Sequence, residues 1–303
     1  MNLQQHVDDL HRRFYEAAES KCLLWVNPAQ SDPYEGDPLV EALRARVLIN
    51  HPRFNPKHGP YLVPLDLSKS AHADVFRASA ELAWNAWTRE SLAASCGQPI
   101  AGWVLTRSPV KALALHWGTQ CHVHGRGRNQ LLRFHDPSVR EWLWPVLSDA
   151  QRDSLLGPAD SLFAFGRNHA MMRHQRKDAR ASRICFPALA LTDVQWRQVE
   201  DYATLHRAWL TWQSANEDKP QQAAEWEKGV LTALSHATTY GIVDSHDREL
   251  FALHALQLKS TFHGLSQLQP VWRKTSRGEF YASAIEDVFG QPADQLHTCL
   301  KTA

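Results

Sequence analysis

Short apolar runs alternate with amphipathic stretches over roughly the first half of the chain. The apolar runs predict buried strands at residues 22–26, 61–67, 101–106 and 130–134. Pro64 in the second run indicates an edge position or a bulge, because proline lacks the N–H that a central strand donates. Amphipathic spacing predicts helices at 38–49 after the cap Asp37, at 73–94 before Gly97, and at 109–117. This alternation predicts an α/β (α+β) N-terminal domain at residues 1–187, with a mixed sheet flanked by helices.

Strand signals stop after about residue 190, and helical stripes replace them. Thr192 and Asp193 begin a long helix, which Pro220 ends. A second helix ends at Tyr240-Gly241, an aromatic residue followed by a C-terminal glycine, and Asp244 caps a third. The apolar stripes of the three helices are Trp196, Val199, Leu205, Trp209 and Trp212; Trp226, Val230, Leu234 and Ala237; and Phe251, Ala255, Leu258 and Phe262. The pattern predicts an all-α lobe at 188–303, joined to the first domain through a hinge at 187–191.

Composition and charge narrow the class of protein. The 303 residues are 44% hydrophobic and 21% charged, as in ordinary folded proteins. A net charge of +1 provides no global field that would recruit nucleic acid or an anionic membrane. The five cysteines are scattered and odd in number, which favours reduced thiols. The N-terminus is polar, and no apolar run approaches the ~18 residues of a membrane span. We expect a soluble cytoplasmic protein without a cofactor.

The stretch LLRFHDPSVREWLWPVL, residues 131–147, raises the question of catalysis. Arg133, His135 and Asp136 are either a catalytic group or the joint between a strand and a helix. Asp136 is a suitable helix cap, and Pro137 suits the first helical position, where its missing N–H costs nothing. Ser148 and Gln151 form a capping box for a further short helix. The joint accounts for Asp136 and Pro137, but not for Arg133 or His135.

Two other stretches carry candidate chemistry. His116, Cys121, His122 and His124 have ligand side chains, but the cluster lacks the second half of a usual zinc site. The segment GRGR at 125–128 indicates a hairpin turn rather than a phosphate loop. A metal-assisted hydrolase that uses the cluster near 116–136 remains an alternative, although we expect no metal.

Residues 166–183 are the most charged tract of the chain. The basic residues are Arg167, Arg173, Arg176, Lys177, Arg180 and Arg183, against the single acid Asp178. The tract is either a solvated loop or a surface that docks an acidic partner. Nucleic-acid binding is a further alternative, but no interleaved aromatics or known motif support it. No standard hydrolase or kinase signature occurs in the chain.

Several short motifs follow one another in a characteristic order. Gly59-Pro60-Tyr61-Leu62-Val63-Pro64-Leu65 and Gly102-Trp103-Val104-Leu105-Thr106-Arg107-Ser108 are strand-like, and Gly157-Pro158 lies downstream. The most specific is Leu132-Arg133-Phe134-His135-Asp136-Pro137-Ser138-Val139, in which His135 replaces the usual aromatic residue. Tyr240-Gly241 lies in the last motif, which extends from Ala237 to Asp247. Together they resemble the adaptor (effector-chaperone) family of bacterial type VI secretion systems, from about residue 20 to 265.

The resemblance implies a non-enzymatic role. Members of that family bind a cognate toxic effector in the producing cell and help to load it onto the VgrG spike. It implies an effector and a VgrG protein as partners, and neither nucleic acid nor membrane. Phe134, Asp136, Pro137, Tyr240 and Gly241 would be structural motif residues. The candidate partner contacts are Arg133, His135, Arg167, Arg173, Arg176, Lys177, Trp209 and Trp212, with exposed tryptophans as anchors.

Overall fold

A computed structural model gives the fold of residues 2–17, 20–28, 31–52, 54–94, 96–125, 128–177, 186–216 and 225–301. The chain divides into two compact units, Met1–Trp196 and Arg197–Ala303. The boundary expected near residue 187 stays a prediction. Residues 126–127, Arg180, Arg183 and Pro220 lie outside the described residues, as do the predictions made for them.

The first unit is built on a six-stranded sheet in the order β2-β3-β1-β4-β7-β8. Its strands are β1 (Lys21–Val26), β2 (Ala45–Arg46), β3 (Tyr61–Leu65), β4 (Ile100–Thr106), β7 (Ser161–Phe165) and β8 (Met171–Gln175). A separate hairpin pairs β5 (His122–Gly125) with β6 (Arg128–Leu131). The predicted fold class is confirmed, but every pairing among the described strands is antiparallel, whereas a mixed sheet was expected.

Helices pack on both faces of this sheet. The described helices of the first unit are α1 (Leu3–Glu16), α2 (Pro38–Leu43), α3 (Ser70–Asn85), α4 (Arg89–Ala93), α5 (Val110–Gln120), α6 (Pro137–Val146) and α7 (Asp149–Leu156). On one face, Phe76 of α3 contacts Trp103 of β4 with ring centroids 6.0 Å apart. On the other, Trp117 of α5 stacks on Trp25 of β1 at 4.0 Å. Gly118 lets α5 approach the backbone at Leu48 closely, because a Cβ at Gly118 would lie 2.3 Å from the Leu48 carbonyl oxygen.

Several predicted elements are shortened or divided in the structure, and at two of these points a tertiary contact accompanies the change. The helix expected at 38–49 ends at Leu43, since Ala45 and Arg46 pair with β3. The helix expected at 73–94 is two helices, separated by a turn where Trp87 Nε1 donates to the Phe165 carbonyl at 2.9 Å. The strand expected at 130–134 ends at Leu131 and belongs to the hairpin.

The first unit also contains elements that were not predicted, among them α1, β7 and β8. The basic tract begins within the β7–β8 connection and β8, so its described part is not the solvated loop that was one expectation. The segment 187–191 packs onto the first unit, where the Leu189 N–H donates to Gln120 Oε1 at 2.7 Å.

The second unit is helical, as predicted. Its helices are α8 (Asp193–Ala215), which begins in the first unit, α9 (Glu225–Ala237), α10 (Ser245–Leu258), α11 (Gln269–Thr275), α12 (Tyr281–Phe289) and α13 (Leu296–Lys301). Asp244 caps α10, as predicted. Asp247 on α10 accepts the N–H groups of Tyr281 and Ala282 at the start of α12, which fixes the two helices together. Within the described residues, no helix is both long and apolar enough to cross a membrane.

Candidate functional site

The stretch around Asp136 is the joint between the hairpin and α6. Asp136 accepts the N–H of Ser138 at 2.9 Å, and Pro137 occupies the first turn of α6. Phe134 is buried between Trp25 and Trp117, with ring centroids 5.3 and 6.0 Å away. Asp136 and Pro137 therefore start a helix that closely follows a residue anchored in the core, Phe134.

Arg140 holds this joint against the central sheet, although the sequence did not single it out. Its guanidinium is fully buried and donates to the carbonyl of Phe134 at 2.9 Å and to the carbonyl of Ala101 in β4. It also lies 5.5 Å from the Trp25 ring. Burial lowers the pKa of Arg140 to about 9. The sequence could have indicated this burial. Arg140 lies three residues after Pro137 and three before Leu143, a spacing that places all three on the inner face of α6.

The two candidate partner contacts in the joint, His135 and Arg133, differ in their exposure to solvent. His135 is only 2% exposed, and its Nδ1 lies 4.0 Å from Cys121 Sγ. Burial, and then the charges of Arg133 and Arg140, lower its pKa to about 3. The expectation of a partner contact at His135 is therefore corrected, because its ring is enclosed in the core beside Trp25. Arg133 is exposed and remains available to a partner.

The His/Cys cluster is dispersed by the fold. His116 Nε2 donates to the Ser154 carbonyl at 2.9 Å, while the His122 ring lies 5.2 Å from His51. Cys121 is buried, which raises the pKa of its thiol. Among the described residues, no three His, Cys, Asp or Glu side chains come together as a possible metal site. The side chain of His124 lies outside that description.

The fold separates the basic tract into buried and exposed residues. Arg167 is 3% exposed and lies 3.4 Å from Glu141 and 4.6 Å from the Trp142 ring. Arg176 is also buried, 3.3 Å from Asp160. The expectation of partner contacts at these two arginines is corrected, because both are enclosed and engaged within the unit.

Lys177 and Arg173 are the exposed candidates of this tract. Lys177 Nζ lies 2.7 Å from Asp149 Oδ2, so its charge is already paired. Arg173 lies over the Phe163 ring at 5.6 Å, and within the described part of the chain it forms no ion pair. Among the cations of the tract that the structure describes, Arg173 is thus the best placed to receive an external anion.

Arg173 lines a groove between α1 and β8, hereafter the α1–β8 groove. The groove has a volume of about 440 Å³. Its walls are His6, Asp9 and Arg13 from α1, Phe163 from β7, and Asn168, His169, Ala170, Met171 and Arg173 from the β7–β8 turn and β8. The sequence did not predict it, because α1 and β8 were both missed.

The groove combines positive charge with a strained backbone position. Asp9 pairs with Arg12 at 2.5 Å and with Arg13 at 2.7 Å, and these contacts lower the pKa of its carboxyl. His169 has a φ of +55°, an uncommon conformation for a residue with a side chain. Its Nε2 donates to the Trp84 carbonyl at 3.1 Å, which fixes the ring at the groove wall.

The candidates of the helical unit are buried. Trp209 and Trp212 are 3% and 6% exposed, so they are not the exposed anchors that were expected. Tyr240 stacks on Trp272 with ring centroids 4.5 Å apart. Gly241 has a φ of +78°, and a Cβ there would lie 2.6 Å from the Thr275 carbonyl oxygen. The Tyr240-Gly241 pair therefore forms a tight turn against the end of α11.

Comparison with known proteins adds one match. Residues 55–154 match a family model described as "Domain of unknown function (DUF4123)". The matched segment includes the joint and Arg140. Neither the curated proteins nor the solved structures yielded a match.

Proposed function

We propose that this protein is a non-enzymatic adaptor of a bacterial type VI secretion system. It binds a cognate toxic effector in the producing cell and helps to load it onto the VgrG spike. The observation that carries the proposal is the family-model match over residues 55–154, since that family is known for effector-loading adaptors. The matched segment contains the Arg133–Pro137 motif on which the resemblance rests.

The placement of the motif residues supports a binding role over a catalytic one. Asp136 caps a helix, while His135 and Cys121 lie in the core. Burial raises the pKa of the Cys121 thiol and lowers that of His135, so neither is readily charged near neutral pH. Arg133 and Arg173 are exposed on the same unit and suit charged contacts, which govern partner choice and association rate more than affinity. This suits an adaptor that must hold its effector and later release it.

The proposal is tested by recovering the partners from the host. The full-length chain is tagged in its native strain, and proteins that copurify are identified by mass spectrometry. We expect one VgrG spike protein and one toxin, both enriched over an unrelated tagged protein of similar size. Recovery of neither contradicts the adaptor function.

A secretion assay distinguishes loading from simple binding. Deleting the gene is expected to abolish delivery of that toxin while other cargo of the same system is still secreted. Restoring the gene restores delivery. Unchanged delivery in the deletion strain would exclude a role in loading.

A further inference from the structure

The edge of the sheet in the first unit is covered incompletely. Trp103, Phe163 and Arg173 occupy directly paired positions on β4, β7 and β8, so they lie on one face of the sheet. Phe14 of α1 packs on Phe163 with ring centroids 5.7 Å apart. Beyond α1, Arg173 remains exposed. The α1–β8 groove lies where the helical layer ends and the strand continues.

A largely buried histidine lines this groove. His6 is 8% exposed and lines the wall, with its ring against Trp84 at 6.0 Å and Phe165 at 5.4 Å. Its ring nitrogens form no hydrogen bond to another described residue. A histidine ring offers nitrogen atoms that can donate or accept, so His6 can form a hydrogen bond with a ligand in the groove.

The charges of the groove favour an anion. Its single carboxylate, Asp9, is engaged by two arginines, whereas Arg173 is held over an aromatic ring without an ion pair among the described residues. A guanidinium presents a planar pair of donors that matches a carboxylate. The buried ring of Phe163 supports the guanidinium from below and holds it at the groove.

We infer that the α1–β8 groove binds an Asp or Glu side chain of an acidic peptide segment in a partner protein. Arg173 pairs with the carboxylate, and His6 supplies a hydrogen bond at the wall. The volume of about 440 Å³ accommodates a side chain with its neighbouring backbone. Under the proposed function, on which the identity of the partner rests, this segment belongs to the effector or to the spike protein.

A pair of capped peptides tests the inference directly. The probe peptide is acetyl-Gly-Glu-Phe-Glu-Gly-amide. In the control peptide, both glutamates are replaced by glutamine. Binding to the full chain is measured by isothermal titration calorimetry at low salt. We expect the glutamate peptide to bind about tenfold more tightly than the glutamine peptide, since a charge-assisted hydrogen bond is lost in the latter.

Two variants locate the binding site, and a third controls for charge. Arg173→Ala removes the cation, and Asn168→Glu places a carboxylate at an exposed position of the groove. Each variant is expected to bind the glutamate peptide about tenfold more weakly than the unchanged protein does. Arg77→Ala removes the same charge from an exposed site on α3 outside the groove, and should bind as the unchanged protein does. Equal affinity for the two peptides, no binding at millimolar concentration, or full binding by Arg173→Ala would each overturn the inference.

The outcome separates this inference from the proposed function. If a spike protein and a toxin copurify equally with the unchanged chain and with Arg173→Ala, the adaptor role stands and the groove is not its contact. If the peptide binds through Arg173 but neither protein is recovered, the groove stands and the adaptor role fails.

Discussion

Arg140 is a buried charge whose described hydrogen bonds go to backbone carbonyls. It spans from the carbonyl of Phe134, beside the helix cap, to the carbonyl of Ala101 in the central strand β4. A guanidinium can do this because its several donors point in fixed directions from one plane. Removing the guanidinium leaves two buried carbonyl acceptors unpaired. This lowers the free energy of unfolding by more than the two hydrogen bonds contribute on balance.

Arg140→Met is expected to lower the free energy of unfolding by about 3 kcal/mol, because two charge-assisted bonds and their buried acceptors are lost. Arg133→Met, at an exposed arginine of the same stretch, should change it by less than about 0.5 kcal/mol. Urea unfolding followed by tryptophan fluorescence measures both. Equal effects would show that Arg140 does not anchor the joint.

At the scale of elements, helix starts in this chain are set by side-chain caps. Asp37, Asp136, Ser148 and Asp244 each accept a backbone N–H in the first turn of the helix that follows. A cap needs an oxygen acceptor, and the charge adds only a modest interaction with the helix dipole. This requirement separates a structural role of Asp136 from a catalytic one.

Asp136→Ala is expected to lower the free energy of unfolding by about 1 kcal/mol, while Asp136→Asn should lose only a few tenths because its amide oxygen still caps α6. Chemical unfolding gives both values. If the asparagine variant retained stability but lost recovery of the toxin and spike protein, the carboxylate would have a role beyond the cap.

Gly241 ends a helical segment where both conformation and space exclude a side chain. Gly241→Ala is expected to destabilise the helical unit by more than about 2 kcal/mol, through left-handed strain and collision with the Thr275 carbonyl. Gly290 has a similar φ of +67° with open space around it. Gly290→Ala should therefore cost about 1 kcal/mol, and the difference in thermal unfolding isolates the collision. Equal losses would mean that the turn relaxes away from Thr275.

Across the whole molecule, neutral histidines are built into both cores. Burial lowers the pKa of His135 and of His254 to about 3, and that of His174 well below its ordinary value. His254 bonds to Tyr281 and to the Ala293 carbonyl at 2.9 Å each. In the unfolded chain these histidines take up a proton near pH 6.5, whereas in the folded chain they do not. Their contribution to stability is present above pH 6.5 and is lost as the pH falls towards about 3.

The chain is therefore expected to lose stability on mild acidification. Replacing His135 by Phe keeps a ring beside Trp25 and removes one titrating group. Between about pH 7.5 and about pH 5, the variant should lose about 2 kcal/mol less than the unchanged protein. His58→Asn, at an exposed site, should follow the unchanged protein. If the stability of His135→Phe and of the unchanged protein fell equally with pH, the burial of a neutral ring at His135 would be contradicted.

The amino-acid sequence determined features that depend on near neighbours in the chain. The strands β1, β3 and β4 follow from apolar runs, and the capped starts at Asp37, Asp136 and Asp244 follow from single oxygen acceptors. The helical second unit follows from its 3.6-residue stripes. These features can be recognised without knowledge of the fold, because they arise from hydrogen bonds and periodicity within a few residues of the chain.

Tertiary structure decided where elements stop and which charges remain available. Among six similar basic residues, contacts with Glu141 and Asp160 bury Arg167 and Arg176, and β8 presents Arg173 beside α1. The same applies to Arg140, whose partner Ala101 is 39 residues away in sequence. Burial and charge pairing depend on residues that are distant along the chain, so local pattern carries no record of them.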